Sequence, residues 1–241
     1  MPLYNDEAVV LRTFPLGEAD RIVVMLTRNH GKVRAVAKGV RRLKSRFGGR
    51  LEPFMRVNML IAKGKSLDVI SQAVSLSTYA ASICANYDSY KYANLMVEVI
   101  DYIVNDSYQD TSSQYSLLIA ALSALSRGVH SPEEIGLSYV MRALCIAGWS
   151  PRITSCAVCG TNENLKYFSP ALGGITCVAD CSAESLRCSD ESRCKIRALI
   201  QGDWNNLDGS VLDDEVVNCV KCWCEYYLER PIRSMNFSDS F

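Results

Sequence analysis

The 241-residue chain lacks any uninterrupted run of about 18 apolar residues, which excludes an ordinary transmembrane helix. Its first residues, MPLYNDEAVVLR, are acidic where a secretion signal has a basic start, so we expect a cytosolic protein. Only two histidines occur, His30 and His130, and neither lies beside a motif that would use it as a catalytic base. Gly48-Gly49-Arg50 lacks the Lys-Ser/Thr of a phosphate-binding loop. The sequence therefore offers few groups for catalysis.

Acidic residues are also missing between Arg28 and Arg50, in a chain whose formal net charge is zero. That segment holds nine basic residues: Arg28, Lys32, Arg34, Lys38, Arg41, Arg42, Lys44, Arg46 and Arg50. Residues 1–75 contain 14 Lys and Arg against 6 Asp and Glu, whereas residues 76–241 contain 12 against 20. Opposite charges in the two parts indicate two modules with different partners. A phosphodiester backbone is the commonest ligand of such a basic surface.

The first 75 residues predict a small barrel. Short β-branched and apolar segments alternate there with turn residues such as Pro15, Gly17 and Gly31. Five segments have the length of strands: Ala8 to Phe14, Arg21 to Thr27, Lys32 to Val40, Phe54 to Ala62 and Leu67 to Val74.

The third predicted strand and the segment after it form the candidate DNA-binding surface. Basic and apolar residues alternate along residues 32–38, which places the cations on one face and the apolar groups in the core. Residues 41–53, RRLKSRFGGRLEP, have no sustained periodicity and predict a basic loop. Phe47 in this loop is a candidate for base stacking, and Phe54 fits stacking or the core equally well. The candidate residues are Arg21, Arg28, Lys32, Arg34, Lys38, Arg41, Arg42, Lys44, Arg46, Phe47 and Arg50.

From about Ser77 onward, apolar residues recur at helical spacing. Tyr87 and Tyr90 fall on this pattern, so we expect them to pack in the interior rather than to stack on bases. Further helices are predicted over 115–125, over 135–146 after the start signal Ser131-Pro132-Glu133-Glu134, and over 213–229. We therefore expect a barrel domain at 1–77 and a helical domain at 78–241.

Eleven cysteines, an odd number in a chain without a sign of export, favour reduced thiols and a metal site over disulfides. Cys156 and Cys159 have the two-residue spacing that lets both thiolates face one ion, and Cys177 and Cys181 follow after a Gly173-Gly174 turn. Four sulfur ligands predict a structural Zn²⁺ knuckle within about residues 153–190. Two alternatives remain open: Cys188 or Cys194 replaces a ligand of the second pair, or the knuckle has lost its metal.

A second group of cysteines lies on the last predicted helix. Cys219 and Cys222 are one turn apart beside Val216, Val220 and Trp223, with Cys224 nearby. Free cysteine packs as a small hydrophobe, so we expect this group to be part of the core.

Residues 9–54, VVLRTFPLGEADRIVVMLTRNHGKVRAVAKGVRRLKSRFGGRLEPF, resemble the RecO recombination mediators of bacterial DNA repair nearly throughout. The resemblance continues through the helical segments to the knuckle at Cys156 and the closing ERPIRS of residues 229–234. The spacing from Cys177 to Cys181 is one residue wider than is usual in the family.

The resemblance implies an α+β multidomain protein: a five-stranded OB-fold barrel followed by an all-α domain with a zinc knuckle. It implies binding and annealing of single- and double-stranded DNA by a protein that is not an enzyme. It also implies partnership with RecR and single-stranded DNA-binding protein in loading RecA, within the RecF pathway and in a cytoplasmic, nucleoid-associated location.

The sequence leaves two other classes of function open. A metal-dependent nuclease or deaminase would act on the bound strand, but Glu163 and Glu184 do not have the deaminase spacing to the cysteines. An adaptor would use the basic surface to bind an acidic protein tail, and competition between such a peptide and DNA would separate it from a DNA-binding protein.

Overall fold

The computed structural model describes residues 2–104, 111–207 and 212–235. The chain divides into two compact units, residues 1–127 and 128–241. The unit that contains the barrel thus continues through three helices beyond it. The domain boundary expected after residue 77 coincides with the end of the fifth strand and stays a prediction.

The first unit begins with a closed five-stranded barrel. Its strands are β1 (Leu3–Leu16), β2 (Asp20–Thr27), β3 (Lys32–Ala37), β4 (Arg56–Ala62) and β5 (Asp68–Ser77). The neighbours around the barrel are β1-β2-β3-β5-β4, and only the β3–β5 pair is parallel. This confirms the predicted small barrel.

Alternation along the strands produces the barrel core, as the sequence predicted. Ala35 and Ala37 on β3 point inward and are fully buried, and Val33 packs against the same core. Arg34, which lies between Val33 and Ala35 in the sequence, is exposed. Other strands contribute Ala8, Val10, Val23, Met25, Val57, Met59, Ile61 and Ile70 to the same cluster. Each larger apolar side chain buried in this way stabilises the fold by about 1.5–3 kcal/mol.

Three helices complete the first unit: α1 (Tyr79–Cys84), α2 (Tyr87–Ile103) and α3 (Ser112–Arg127). The side chain of Asn86 caps α2 by accepting a hydrogen bond from Ser89 N at 2.8 Å. Residues 77–103 are helical over most of their length, as predicted. The expectation that Tyr87 and Tyr90 pack in the interior is wrong, because their side chains are 66% and 46% exposed.

The second unit contains three helices and a small sheet within its described residues. The helices are α4 (Pro132–Ile146), α5 (Asp190–Gln201) and α6 (Asp214–Leu228). The sheet has the order β7-β6-β8, from β6 (Leu165–Ser169), β7 (Gly174–Cys177) and β8 (Leu186–Arg187). Ser131 and Glu134 form the capping box that the sequence predicted for α4. In the part of the chain described, none of the helices has the length and apolar character needed to cross a membrane.

The last helix holds the core of the second unit. Asp213 caps α6 by accepting a hydrogen bond from Val216 N at 2.9 Å, so the helix begins where the acidic residues predicted it. Trp223 is fully buried; its ring centroid lies 5.4 Å from that of Phe168, and its indole N–H donates to Trp149 O at 3.1 Å. The fold class expected from the sequence, a barrel followed by helices that carry a cysteine knuckle, is confirmed.

Candidate nucleic-acid interface and metal centre

The loop between β3 and β4, residues 38–55, carries six basic residues and is called the basic loop below. Its start is held against the β1–β2 turn. Asp20 Oδ1 accepts a hydrogen bond from Gly39 N at 2.7 Å, and Arg41 N donates to Ala19 O at 3.0 Å. Gly39 has a φ of +70°, a backbone conformation that glycine adopts readily. The turn ends β3 at Ala37, three residues before the predicted end.

The middle of the basic loop is anchored in the barrel. The Phe47 side chain is only 1% exposed and belongs to the barrel core, together with Leu51 from the 3₁₀ helix Gly48–Leu51. The Arg46 guanidinium lies 4.9 Å from the centroid of the Phe47 ring. A ring held in this way offers no open face to a base. This corrects the expectation that Phe47 stacks on DNA: burying its apolar surface fixes the loop instead.

Two of the predicted DNA-binding cations are engaged by carboxylates. Arg21 Nη1 lies 2.8 Å from Glu52 Oε1. Lys32 Nζ donates to Asp101 O at 2.9 Å and lies 3.4 Å from Asp101 Oδ1. A carboxylate at this distance offsets part of the positive potential of each cation and so weakens its attraction to a phosphate.

The remaining predicted cations are exposed, and none of them forms an ion pair with a carboxylate in the described part of the chain. They are Arg28, Arg34, Lys38, Arg41, Arg42, Lys44, Arg46 and Arg50. Arg50 Nη1 instead donates to the carbonyl oxygens of Arg46 and Phe47 at 3.0 and 3.3 Å, which leaves its charge uncompensated. The basic loop, Arg28 and Arg34 thus keep a positive potential that can attract polyanions.

His30 lies in the β2–β3 turn and contacts Asp6 on β1. Its Nδ1 lies 2.6 Å from Oδ2 of Asp6, which is buried. Asp6 also accepts hydrogen bonds from the backbone and side-chain nitrogens of Asn29 at 3.1 and 2.9 Å. The Tyr4 and His30 ring centroids are 4.5 Å apart. These contacts fasten the β2–β3 turn to β1.

In the second unit, three cysteines and one aspartate meet. One ligand atom from each of Cys156, Cys159, Cys177 and Asp180 lies within 4.8 Å of the others. Cys156 and Cys159 lie in a tight turn closed by the hydrogen bond from Gly160 N to Cys156 O at 3.0 Å. Cys177 ends β7, and Asp180 N donates back to Cys177 O at 3.2 Å, so the carboxylate turns toward the thiols.

A close backbone contact holds the two halves of this cluster together. Ile175 N donates to Arg152 O at 2.8 Å, and Arg152 pairs with Gly174 in a parallel bridge. A Cβ at Gly174 would lie 2.2 Å from Arg152 O, and its φ is +141°. Only glycine fits at position 174. The Gly173-Gly174 turn therefore reverses the chain and also lets the backbone of Gly174 lie against that of Arg152.

The donor set suits a tetrahedral thiophilic cation. Zinc bonds of about 2.3 Å to sulfur separate thiolates by roughly 3.8 Å, and the sulfurs of Cys159 and Cys177 are 3.9 Å apart. Asp180 Oδ2 lies 3.3 Å from the Cys156 sulfur and 3.2 Å from the Cys177 sulfur. Four groups that can each become anionic converge on one point, which a bound cation would stabilise.

The protonation behaviour of the cluster fits this arrangement. Burial opposes ionisation of Cys156, but backbone N–H groups of Cys159, Cys177 and Val158 outweigh it and lower the pKa of its thiol. The hydrogen bond to Asp180 raises the pKa of the Cys159 thiol to about 12. The thiols in turn lower the pKa of the Asp180 carboxyl. A carboxylate that already carries its charge is a ready metal ligand.

Cys181 lies outside the cluster, and the structure offers Asp180 in its place. The Cys181 thiol points to Val178 O at 3.3 Å. The alternatives Cys188 and Cys194 are not in the cluster either. Cys188 is buried beside Cys219, and that contact raises the pKa of the Cys219 thiol, whereas Cys194 is exposed on α5. Cys219 and Cys224 are buried, which confirms their expected place in the core, whereas Cys222 is partly exposed.

Fold and surface together define a class: an OB-fold protein with an uncompensated basic loop, joined to a unit with a cysteine-rich cluster that could hold a metal ion. Sequence comparison makes this more specific. The family profile described as "Recombination protein O N terminal" matches residues 1–79, and "Recombination protein O C terminal" matches residues 84–236. The chain belongs to the RecO family.

Curated relatives agree over the full length. Proteins named DNA repair protein RecO from Bifidobacterium adolescentis and Bifidobacterium longum strain DJO10A are 54% and 55% identical, covering 99% and 100% of this chain and 100% of each relative. One from a Nocardioides species is 40% identical over 98% of both chains. The chain therefore has a role in DNA repair.

Proposed function

We infer that the protein binds and anneals DNA without catalysing a reaction, and that its barrel is the DNA-binding module. The observation that carries this proposal is the basic loop, whose exposed cations have no carboxylate partners in the described residues. Family membership supports DNA, rather than another polyanion, as the ligand.

The mechanism follows from electrostatics. Two complementary strands repel each other through their phosphates, and cations that neutralise both backbones lower that repulsion so that base pairing can proceed. The loop supplies Lys38, Arg41, Arg42, Lys44, Arg46 and Arg50, and Arg28 in the β2–β3 turn and Arg34 on β3 extend this set. Annealing by this route makes and breaks no covalent bond, so it requires no catalytic residue.

Partners and pathway are proposed from the family. On that basis the protein acts with RecR and single-stranded DNA-binding protein to help load RecA on single-stranded DNA, in the RecF pathway at the nucleoid. An acidic protein tail and DNA can compete for the same basic loop, since both are polyanions.

The proposed cofactor is one structural Zn²⁺. Cys156, Cys159, Cys177 and Asp180 would hold it, and it would stabilise the fold around β6 and β7 rather than activate water. With four protein ligands there is no open position for a substrate.

Replacing Arg41, Arg42, Lys44 and Arg46 together with alanine tests the proposal. If single-stranded DNA binding uses all four contacts, affinity falls and the slope of log affinity against log salt becomes smaller by about 3, since each phosphate contact contributes roughly 0.7. Surface changes of this kind leave thermal stability nearly unchanged. Fluorescence anisotropy with a labelled oligonucleotide over a salt series measures both quantities.

A matched control is the double replacement Lys63→Ala and Lys65→Ala, which removes two exposed cations from the β4–β5 turn of the same barrel. It should retain the native slope. If the four-residue variant keeps native affinity and slope, the basic loop is not the DNA-binding surface.

A further inference from the structure

A cavity of about 920 Å³ opens beside the basic loop, within the first unit. Its walls come from β1, from the loop and its 3₁₀ helix, and from α1 and the start of α2. They are mostly apolar and include Leu11, Pro53, Phe54, Met55, Ala81 and Tyr90. This volume lies in the roughly 300–1,000 Å³ range of ligand pockets.

Three aromatic residues line the cavity, Phe47, Phe54 and Tyr90, of which Phe47 is buried in the barrel core. Tyr90 is 46% exposed although it lies on a helix whose other face is buried. Its ring centroid is 6.1 Å from that of Phe54, with an angle of 85° between the ring planes. Phe54 is buried, so Tyr90 is the ring with an open face.

The backbone at Phe54 is held in an unfavourable conformation. Its φ is +69°, which is uncommon for a residue other than glycine. Hydrogen bonds from Phe54 N to Val10 O at 2.9 Å and from Val10 N to Met55 O at 3.0 Å fix this geometry. Such strain persists only where the surroundings enforce it, and it is concentrated at ligand sites.

The charges at the edge of the cavity leave a net cation. Arg12 and Glu52 both line it, but Arg12 pairs with Asp101 and Glu52 pairs with Arg21. Arg50 lines it too, and its guanidinium contacts only carbonyl oxygens among the described residues. An apolar cavity with an exposed aromatic face and a cationic edge suits a flat aromatic group that carries a phosphate.

We propose that this cavity receives one unpaired base of single-stranded DNA, which stacks on Tyr90 while its phosphate contacts Arg50. The proposal rests on DNA binding by the basic loop, which it extends with a base-binding subsite. A base in a duplex enters only after it is unpaired and unstacked, at a cost of a few kcal/mol. The subsite therefore favours single strands over duplexes.

The test compares Tyr90→Ala with two controls in the intact chain. Tyr87→Ala removes a tyrosine that is 66% exposed on the same helix but does not line the cavity, and Tyr90→Phe keeps the ring. Each protein is titrated against an oligonucleotide that contains one 2-aminopurine, read by base fluorescence, and against a duplex and a labelled acidic peptide, each read by anisotropy. Thermal unfolding checks that each variant is folded.

We expect Tyr90→Ala to bind the single strand roughly tenfold more weakly, as loss of one base–aromatic stack predicts. It should lose the fluorescence change while duplex affinity and the salt slope stay native. Tyr87→Ala and Tyr90→Phe should behave as the native chain.

Three outcomes would overturn the proposal, and they differ from one another. If the native chain binds DNA and Tyr90→Ala binds the single strand equally well, only the base subsite fails. If Tyr90→Ala keeps its DNA affinity but loses binding of an acidic peptide, the cavity is a protein-tail site. If the native chain does not bind DNA at all, the proposed function fails along with the subsite.

Discussion

The contacts of single residues show where a partly exposed ion pair links elements of the first unit. Arg56 Nη2 on β4 donates to Glu7 Oε2 on β1 at 2.8 Å. The hydroxyl of Tyr115, a side chain only 1% exposed, joins the pair from α3 by donating to Glu7 Oε2 at 3.3 Å. Arg56 and Glu7 are partly exposed, and the triad links two strands to a helix through charge-assisted hydrogen bonds.

Glu7→Gln should therefore destabilise the protein by about 1 kcal/mol at neutral pH, after allowance for partial exposure. The hydrogen bond from Arg56 holds the pKa of Glu7 below its usual value of 4.5. A carboxyl with a lowered pKa stabilises the fold above that value, and the stabilisation is lost as pH falls through the folded-state pKa. Urea unfolding at neutral and acidic pH should show a smaller acid-induced loss in Glu7→Gln than in the native chain.

The exposed Glu18, in the β1–β2 turn, provides the control. Glu18→Gln should keep both native stability and native pH dependence. If Glu7→Gln matches it at every pH, the triad contributes nothing measurable.

Substitutions at neighbouring positions distinguish the proposed metal ligands from residues outside the cluster. Asp180→Asn keeps an oxygen but removes the charge, and Cys177→Ser removes a sulfur; both should lower zinc content and make the remaining zinc easier to extract with a chelator. Cys181→Ala should keep native zinc content, because the Cys181 thiol points to Val178 O. Elemental analysis before and after chelator treatment measures the difference. Zinc lost from Cys181→Ala but retained by Asp180→Asn would reverse the assignment.

At the scale of elements, strands and helices with strong periodicity were predictable and loops were not. Short β-branched and apolar segments between turn residues located all five strands, and the acidic start located α6 at Asp213. Helix α5 was missed because Cys188 and Cys194 were weighed only as metal ligands. Asp180 was missed because ligand spacing was counted in cysteines, and a turn that folds a carboxylate back onto Cys177 leaves no periodic signal.

Phe47 illustrates what depends on tertiary packing. A phenylalanine between basic residues fits a stacking role in the sequence, yet its ring is buried in the barrel core. Tyr90 shows the opposite case, since helical spacing predicted burial and the structure exposes it. The periodicity of a sequence segment indicates which residues share a face of a helix or strand, but it does not show which other elements cover that face.

Phe47→Ala should therefore act on stability. Removing a buried phenylalanine costs about 3–5 kcal/mol through lost burial and the cavity left behind. Leu43→Ala, at a fully exposed position of the same loop, should change stability little. Urea denaturation of both variants measures the contrast, and a native stability for Phe47→Ala would show that the ring does not anchor the loop.

The whole molecule separates its charge along the chain. Residues 1–75 have an excess of basic residues and residues 76–241 an excess of acidic ones, so the net charge of zero conceals two regions of opposite sign. The basic excess lies in the unit with the barrel, and the candidate metal ligands lie in the other unit. The proposed DNA-binding surface and the proposed metal site thus lie in different units.

The most direct test of the central claim is the salt dependence of single-stranded DNA affinity for the native chain. If the eight exposed cations, those of the basic loop together with Arg28 and Arg34, make about six to eight phosphate contacts, affinity for a single strand falls by roughly 300- to 2,000-fold between about 50 and 200 mM salt. Strand annealing measured on the same preparation should slow in parallel. An affinity that barely changes over that range would contradict the account.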